Sequence, residues 1–346
     1  MTAIFIVSIV FGDLLVPLCR AEDIYQFLKQ IPVGGEGGWD KLTMDETARR
    51  LYVTRESKIA VLDVDKEQIV GEITNTPGVH DFAVTPECPI GFSSNGQEAS
   101  ASVVDLKTLE TRFKMKTGQN PDAILLEQST MQVYVFNAGE NTVTAAEADD
   151  GDFLEKIDLP GKPGYAVADS KAGKIFCNIE NKNEVAVIDV RNHKVANHWP
   201  TAPGTTPSGM AIDPANHRLF IGCRNKLMVM IDSTNGNVLV TVPIGEGVGA
   251  NAFDPTTQLA FSANGEGTVT IAHEDMPDKL TVMQTLKTER GARTMALDPK
   301  THKIYLAAAQ FESSPEAASG APRQDPKTVP GSFKILVYGM KQNPVH

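Results

Sequence analysis

Seven positions recur along the chain at spacings of 40, 42, 42, 44, 41 and 44 residues: Asp40, His80, Asp122, Gly164, Ser208, Gly249 and Arg293. Several of them carry side chains able to do chemistry. Trp39 and Asp81 flank the column, and Asn251 lies two positions further on in the sixth copy. An imidazole beside carboxylates suits proton transfer, with His80 as general base, and a guanidinium suits an anionic group, with Arg293 as its clamp. Asp40 and Asp122 would orient these groups or, with His80 and Glu180, supply nitrogen and oxygen ligands to a divalent metal. The candidate ligand-binding set is Trp39, Asp40, His80, Asp81, Asp122, Ser208, Asn251 and Arg293; His80 and Arg293 are the catalytic candidates within it. Plainer readings stand beside these. The polar rim is solvated, Asp40 or Asp122 forms a structural ion pair with Arg293, and Trp39 fills a packing gap.

The elements that must position this column are short strands. Aromatic anchors recur at the same spacings, Tyr52, Phe92, Tyr134, Phe176, Phe220, Phe261 and Tyr305, each inside a β-branched or small-residue run such as LYVT (51–54), VYVF (133–136) or LFIG (219–222). An apolar run ending in an acidic or turn residue precedes each anchor, as in AIDP (211–214), AFDP (252–255) and ALDP (296–299). Third strands follow (IAVLDV 59–64, VAVIDV 185–190, LMVMID 227–232), then fourth strands (IVGEI 69–73, VLVTVPI 238–244). Four strands per repeat of about 42 residues is the pattern of a β-propeller blade. A sandwich or β-helix does not explain a sevenfold column at this period. The expected fold is therefore all-β: a seven-bladed propeller of four-stranded antiparallel blades. The seventh unit runs out after its third strand at Phe333–Tyr338, while Ile24–Val33 forms an unassigned strand before the first unit. Pairing the two closes the ring and removes an open sheet edge.

First strands line a propeller's channel, so the chemical column rings its mouth. Convergent ionisable groups in a concavity are the usual mark of a site. The neighbouring loops carry Glu56, Glu98, Glu140, Glu180, Glu184 and Glu266, which form either a solvated acidic rim or a cation-attracting surface. One loop departs from the rest: residues 310–332, rich in Pro, Ala and Ser, form an insertion in blade seven placed over the mouth, as a lid or as a surface insert.

Missing motifs narrow the chemistry. There is no Cys-x-x-Cys-His, so no covalent haem is expected. His273-Glu274 lacks the second His of a zincin, since Pro277 stands in its place. There is no nucleophile elbow, and the glycines of 245–249 join strand to strand, which does not suit a dinucleotide. Two Trp in the chain are too few for the repeated tryptophan packing of quinone-cofactor propellers. Cys177 and Cys223 read as core thiols. Glu147, Asp149, Asp150 and Asp152 read as a solvated turn, and His193, His198, His217 and His302 as exposed turn residues.

Of 346 residues, 32 are Lys or Arg and 43 are Asp or Glu, a formal charge of −11. That balance opposes duplex nucleic acid, which needs clustered cations, and it opposes single strands for the same reason. Residues 2–11 are apolar, and Cys19-Arg20-Ala21 offers small residues at −3 and −1 of a cut after Ala21. The pattern is that of a signal peptide over 1–21, leaving residues 22–346 as a single propeller domain. No later stretch reaches the ~18 apolar residues that a spanning helix needs. The three cysteines then left cannot all pair within one chain, and a disulfide framework is not expected.

The units resemble the YVTN repeats of exported bacterial β-propellers, the YncE-like family. Tyr52-Val53-Thr54-Arg55 nearly matches the name-giving tetrapeptide, and NKNE (181–184) followed by VAVIDV matches the loop and strand of the repeat. The resemblance covers about residues 24–340. It implies a propeller fold and a periplasmic or secreted protein, and it says little about chemistry because such propellers host binding, scaffolding and enzymatic roles. Two functions are therefore carried forward. The first is a monomeric binding module whose small-molecule or protein ligand engages the channel mouth. The second is a lactonase-like hydrolase or a lyase with a His/Asp/Arg site there, assisted by a divalent metal.

Overall fold

The computed structural model of the chain describes residues 23–85, 89–312 and 327–341. The segment 1–21 and most of the 310–332 loop fall outside them. Seven four-stranded antiparallel sheets are present, and in each the first strand of the repeat is at one edge and the fourth at the other. Blade one, for example, runs Leu42–Asp45, Arg50–Arg55, Lys58–Asp63, Gln68–Ile73. The seven first strands lie side by side around a central channel, with the seventh against the first. There is no helix among the described residues, and so none long and apolar enough to cross a membrane.

In six of the seven blades the residue that ends the first strand is acidic and makes the chain reverse, and in blade two the strand ends at Val84 with Thr85 after it. Asp45 accepts hydrogen bonds from the Thr47 and Ala48 backbone N–H groups. Glu127, Asp213, Asp254 and Asp298 do the same for the turns after them. Asp63 and Asp105 repeat the device after the third strands. A short acidic side chain thereby replaces a backbone partner and fixes the turn. The fourth turn residue takes the left-handed conformation, as at Arg49, Met131, His217, Gln258 and His302.

Packing follows the repeat. Seven apolar clusters fill the seven gaps between adjacent blades. The seven aromatic anchors sit in these clusters at 0–2% exposure. Three blades add a buried polar device at the end of the second strand. Asn95 donates to the Ser100 and Ser102 hydroxyls, Asn137 to Thr142 and Thr144, and Asn264 to Thr268 and Thr270.

The ring closes through the chain's first strand. Tyr25–Pro32 pairs antiparallel with Lys334–Met340, placing it outermost in blade seven. Two of the turn histidines differ from their sequence reading as exposed. His193 is half-buried, its Nε2 3.1 Å from Gln132 Oε1 and its ring beside that of Tyr134. His302 is half-buried, its Nδ1 2.7 Å from the fully buried Asp254 carboxylate, because the blade-seven turn leans on the end of the blade-six inner strand.

Candidate functional site

Three blades build the one cluster of metal-ligating groups found among the described residues. Asp40 precedes the inner strand of blade one, and His80 and Asp122 lie near the starts of those of blades two and three, Val79–Val84 and Pro121–Glu127. The pairing register shifts at both places, between Val79 and Asp81 and between Pro121 and Ile124. Such a bulge re-aims a side chain that a regular strand would point elsewhere. Backbone contacts then lock the blades together beneath the site. The Lys41 N–H donates to the His80 carbonyl, and the Ser94 hydroxyl of blade two donates to the Asp122 carbonyl.

His80 Nδ1 lies 2.9 Å from Asp40 Oδ2. One ligand atom each from Asp40, His80 and Asp122 lies within 4.8 Å of the other two. All three side chains are half-exposed. The hydrogen bond to Asp40 raises the His80 pKa, helped by the charges of Asp122 and Asp40 and opposed by burial and by Lys41.

Two residues that the sequence column did not single out complete the site. Lys41 is 6% exposed, with Nζ 3.1 Å from Asp81 and 3.5 Å from Asp122. Burial alone would lower its pKa, but Asp81, Asp122, Tyr165 and Asp40 outweigh burial and hold the ammonium protonated. Lys41 Nζ also stands 4.5 Å from the centre of the Tyr165 ring, a cation–π contact. Tyr165 comes from the inner strand of blade four and also packs against the cluster between blades six and seven. Its ring therefore spans the channel below the mouth. A cavity of about 550 Å³ runs on the inner strands of blades one to three from Asp81 toward Glu46 and Gln128.

The other candidates take separate places. Asp81 is spent on Lys41 and on the Phe82 and Ile124 backbone N–H groups. Ser208 is buried, its carbonyl accepting from Asn178. Asn251 is buried between the Phe220 carbonyl and the Ser262 hydroxyl. Glu180 pairs with Lys162 at 2.9 Å. Among the described residues the exposed Arg293 has no ion-pair partner, and the cation beside Asp122 is Lys41. Trp39 packs on Phe333 and Phe311, filling the gap between blades one and seven under the base of the long loop. Three of the six loop acids pair with a lysine of their own blade, Glu98 with Lys114, Glu140 with Lys156 and Glu180 with Lys162.

Gly96 was also not legible as a site residue. A Cβ there would fall 2.8 Å from His80 Nε2 and 2.9 Å from Asn120 Oδ1. Gly96→Ala is therefore expected to keep the fold at a cost of about 1–2 kcal/mol while swinging the imidazole off Asp40. Imidazole nitrogen chemical shifts check this, since the variant should lose the signature of the His80–Asp40 hydrogen bond; an unchanged spectrum would refute the packing argument.

No protein-family model matches the chain, and no curated protein matches it. In fold, the chain is similar to a solved structure titled Kuenenia stuttgartiensis Hydrazine Synthase, at a TM-score of 0.51 and 15% identity, over 73% of this chain and 96% of that one. At that identity the likeness is one of architecture: this chain is a seven-bladed β-propeller.

Proposed function

We propose that the chain is a ligand-binding propeller whose working surface is the channel mouth at Asp40, His80 and Asp122, and that its ligand is cationic. The observation that carries this is the charge left open at the mouth. Asp40, Asp81 and Asp122 face a single buried cation, Lys41, leaving −2 when His80 is neutral. Lys41 and Asp81 are already satisfied by internal partners, whereas Asp40, His80 and Asp122 keep faces open to solvent. A ligand bearing positive charge relieves the imbalance; an anionic one meets two uncompensated carboxylates. The test is a thermal-shift screen of the purified chain with polyamines, choline, cationic amino acids, neutral sugars and small anions. Stabilisation by cationic compounds, lost in Asp40→Asn and Asp122→Asn, is expected. Stabilisation by anions alone, or equal responses in those variants, would remove this reading.

The reading extends to family and location. The fourth position of the YVTN tetrapeptide is Asn at 95, 137 and 264, where each side chain bridges two hydroxyls, and this supports a YVTN-type, YncE-like propeller. The apolar run before Ala21 supports export to the periplasm or secretion, with the mature chain acting as a monomer. Fractionation with N-terminal sequencing tests export: a mature start at Glu22 is expected, and a cytoplasmic chain beginning at Met1 would overturn it.

The Asp40–His80 hydrogen bond favours one other reading, a hydrolase of lactones or esters with His80 as general base and Asp40 as its orienting carboxylate. Steady turnover of such substrates, abolished in His80→Ala, would establish it over the binding reading.

A further inference from the structure

We infer that the cationic ligand at the mouth is a divalent transition-metal ion, chelated by Asp40, His80 and Asp122. The inference rests on the cationic-ligand reading above and names its class.

The donor set argues first. One imidazole nitrogen with two carboxylates suits a borderline cation such as Zn²⁺ or Mn²⁺. Calcium would want six to eight oxygens, which these three side chains do not provide. Spacing argues second. Two ligand atoms about 2.0–2.2 Å from one metal lie roughly 3.0–3.5 Å apart. Asp40 Oδ2 and His80 Nδ1 are 2.9 Å apart, close to that spacing, so an ion seated to one side of the line between them requires the proton to leave and the two side chains to turn, with no backbone movement. Asp122 lies inside the 4.8 Å limit of the cluster and closes the set by turning a half-exposed carboxylate. The charge argues third. The net −2 at the mouth equals what one divalent ion neutralises, while Asp81, held by Lys41 and two backbone N–H groups, contributes charge without being a ligand. Three protein ligands leave further positions on the ion open to solvent, the arrangement of a site that can take up a second molecule.

The three residues come from separate blades and are half-exposed, so conservative variants should fold; far-ultraviolet circular dichroism and melting temperature verify this. The experiment is equilibrium dialysis of the untagged, EDTA-stripped chain against Zn²⁺, Mn²⁺, Ca²⁺ and Mg²⁺, with bound metal measured by mass spectrometry. One equivalent of Zn²⁺ or Mn²⁺ per chain is expected. Its affinity should fall at least about tenfold in His80→Ala and in Asp122→Asn, and remain unchanged in Asp150→Asn on the far turn. Absence of saturable uptake, uptake unchanged in His80→Ala, or tighter binding of Ca²⁺ would overturn the inference. If polyamines stabilise the chain through Asp40 and Asp122 while no metal binds, the metal inference fails and the cationic-ligand reading stands. If neither acts, both fail.

Discussion

Removing residues 24–33 is expected to leave a chain that cannot reach a soluble folded state. Without that strand, Lys334–Met340 becomes an unpaired sheet edge bordering the buried Ile335, Leu336 and Val337, and open apolar edges drive association. Single substitutions grade the effect. Tyr25 is 1% exposed, packs edge-on against Phe261 of blade six at 5.3 Å, and donates its hydroxyl to the His302 carbonyl. Tyr25→Ala should therefore cost about 3–5 kcal/mol, a fall in melting temperature of roughly 5–15 °C at this size. Gln284 of blade six clamps the same strand, accepting from the Ile24 and Tyr25 N–H groups and donating to the Tyr25 carbonyl. Gln284→Ala leaves those buried groups unpaired, at about 1–3 kcal/mol. Phe27, 52% exposed on the same strand, serves as the control. Thermal melts in which Tyr25→Ala and Phe27→Ala behave alike would show that the strand does not carry closure.

The second large effect is a loss of stability as pH rises, traced to Glu274. This side chain is 2% exposed, and neither carboxyl oxygen has a hydrogen-bond donor. Its neighbour Asp213 is also buried and already accepts from the Ala215 and Asn216 backbone and the Asn216 side chain. Burial, then the Asp213 charge, pushes the Glu274 pKa up to about 7, against the opposing pull of Arg218. A protonated Glu274 donates to Asp213, which is why it needs no other partner. In the unfolded chain Glu274 ionises near its ordinary value, 4.5. Between that pH and about 7 the folded state holds a proton that the unfolded state has lost, so this stabilisation is complete at low pH and disappears as pH rises through about 7. Glu274→Gln keeps the shape and the donor but cannot ionise. It should be more stable than the parent at pH 8 by about 1–3 kcal/mol, with the gap closing toward pH 5. Denaturant unfolding across that range measures it. His80 also titrates with a raised pKa and weakens the parent in the same direction, but it is common to both proteins and cancels in the difference. Parallel stability curves would show that Glu274 is ionised in the folded chain.

The sevenfold repeat and its closure were legible because each depends on local chemistry. The turn after the first strand is fixed by a short side chain that accepts from the backbone, and the column Asp45, Glu127, Asp169, Asp213, Asp254, Asp298 supplies an acid for it in six of the seven blades. An inter-blade gap needs one large ring per repeat, and the aromatic anchors supply that. The site was legible only where it follows the repeat. Asp40, His80 and Asp122 stand in one column and meet because blades one to three are neighbours. Ser208 and Asn251 share the periodicity, but on blades five and six the wall is made of Gly209, Gly222 and the buried Asn251, whose side chain stands where a Cβ at either glycine would be. Lys41 could not be read from sequence, since a lysine beside an aspartate is ordinarily solvated. It is buried only because acids 40 and 81 positions further along, Asp81 and Asp122, converge on it with the ring of Tyr165. Trp39 gave no local sign of whether it faced ligand or core, and the two phenylalanines that cover it lie at the other end of the chain.

The most direct measurement is anomalous diffraction at the zinc edge from crystals of the full chain soaked in zinc chloride. One dominant peak is expected at the channel mouth, about 2.0–2.2 Å from carboxylate oxygens of Asp40 and Asp122 and from a nitrogen of His80. An empty mouth, with zinc instead at the acidic turn around Asp149–Asp152 or spread over the surface, would contradict the assignment of this cluster as the working site of the propeller.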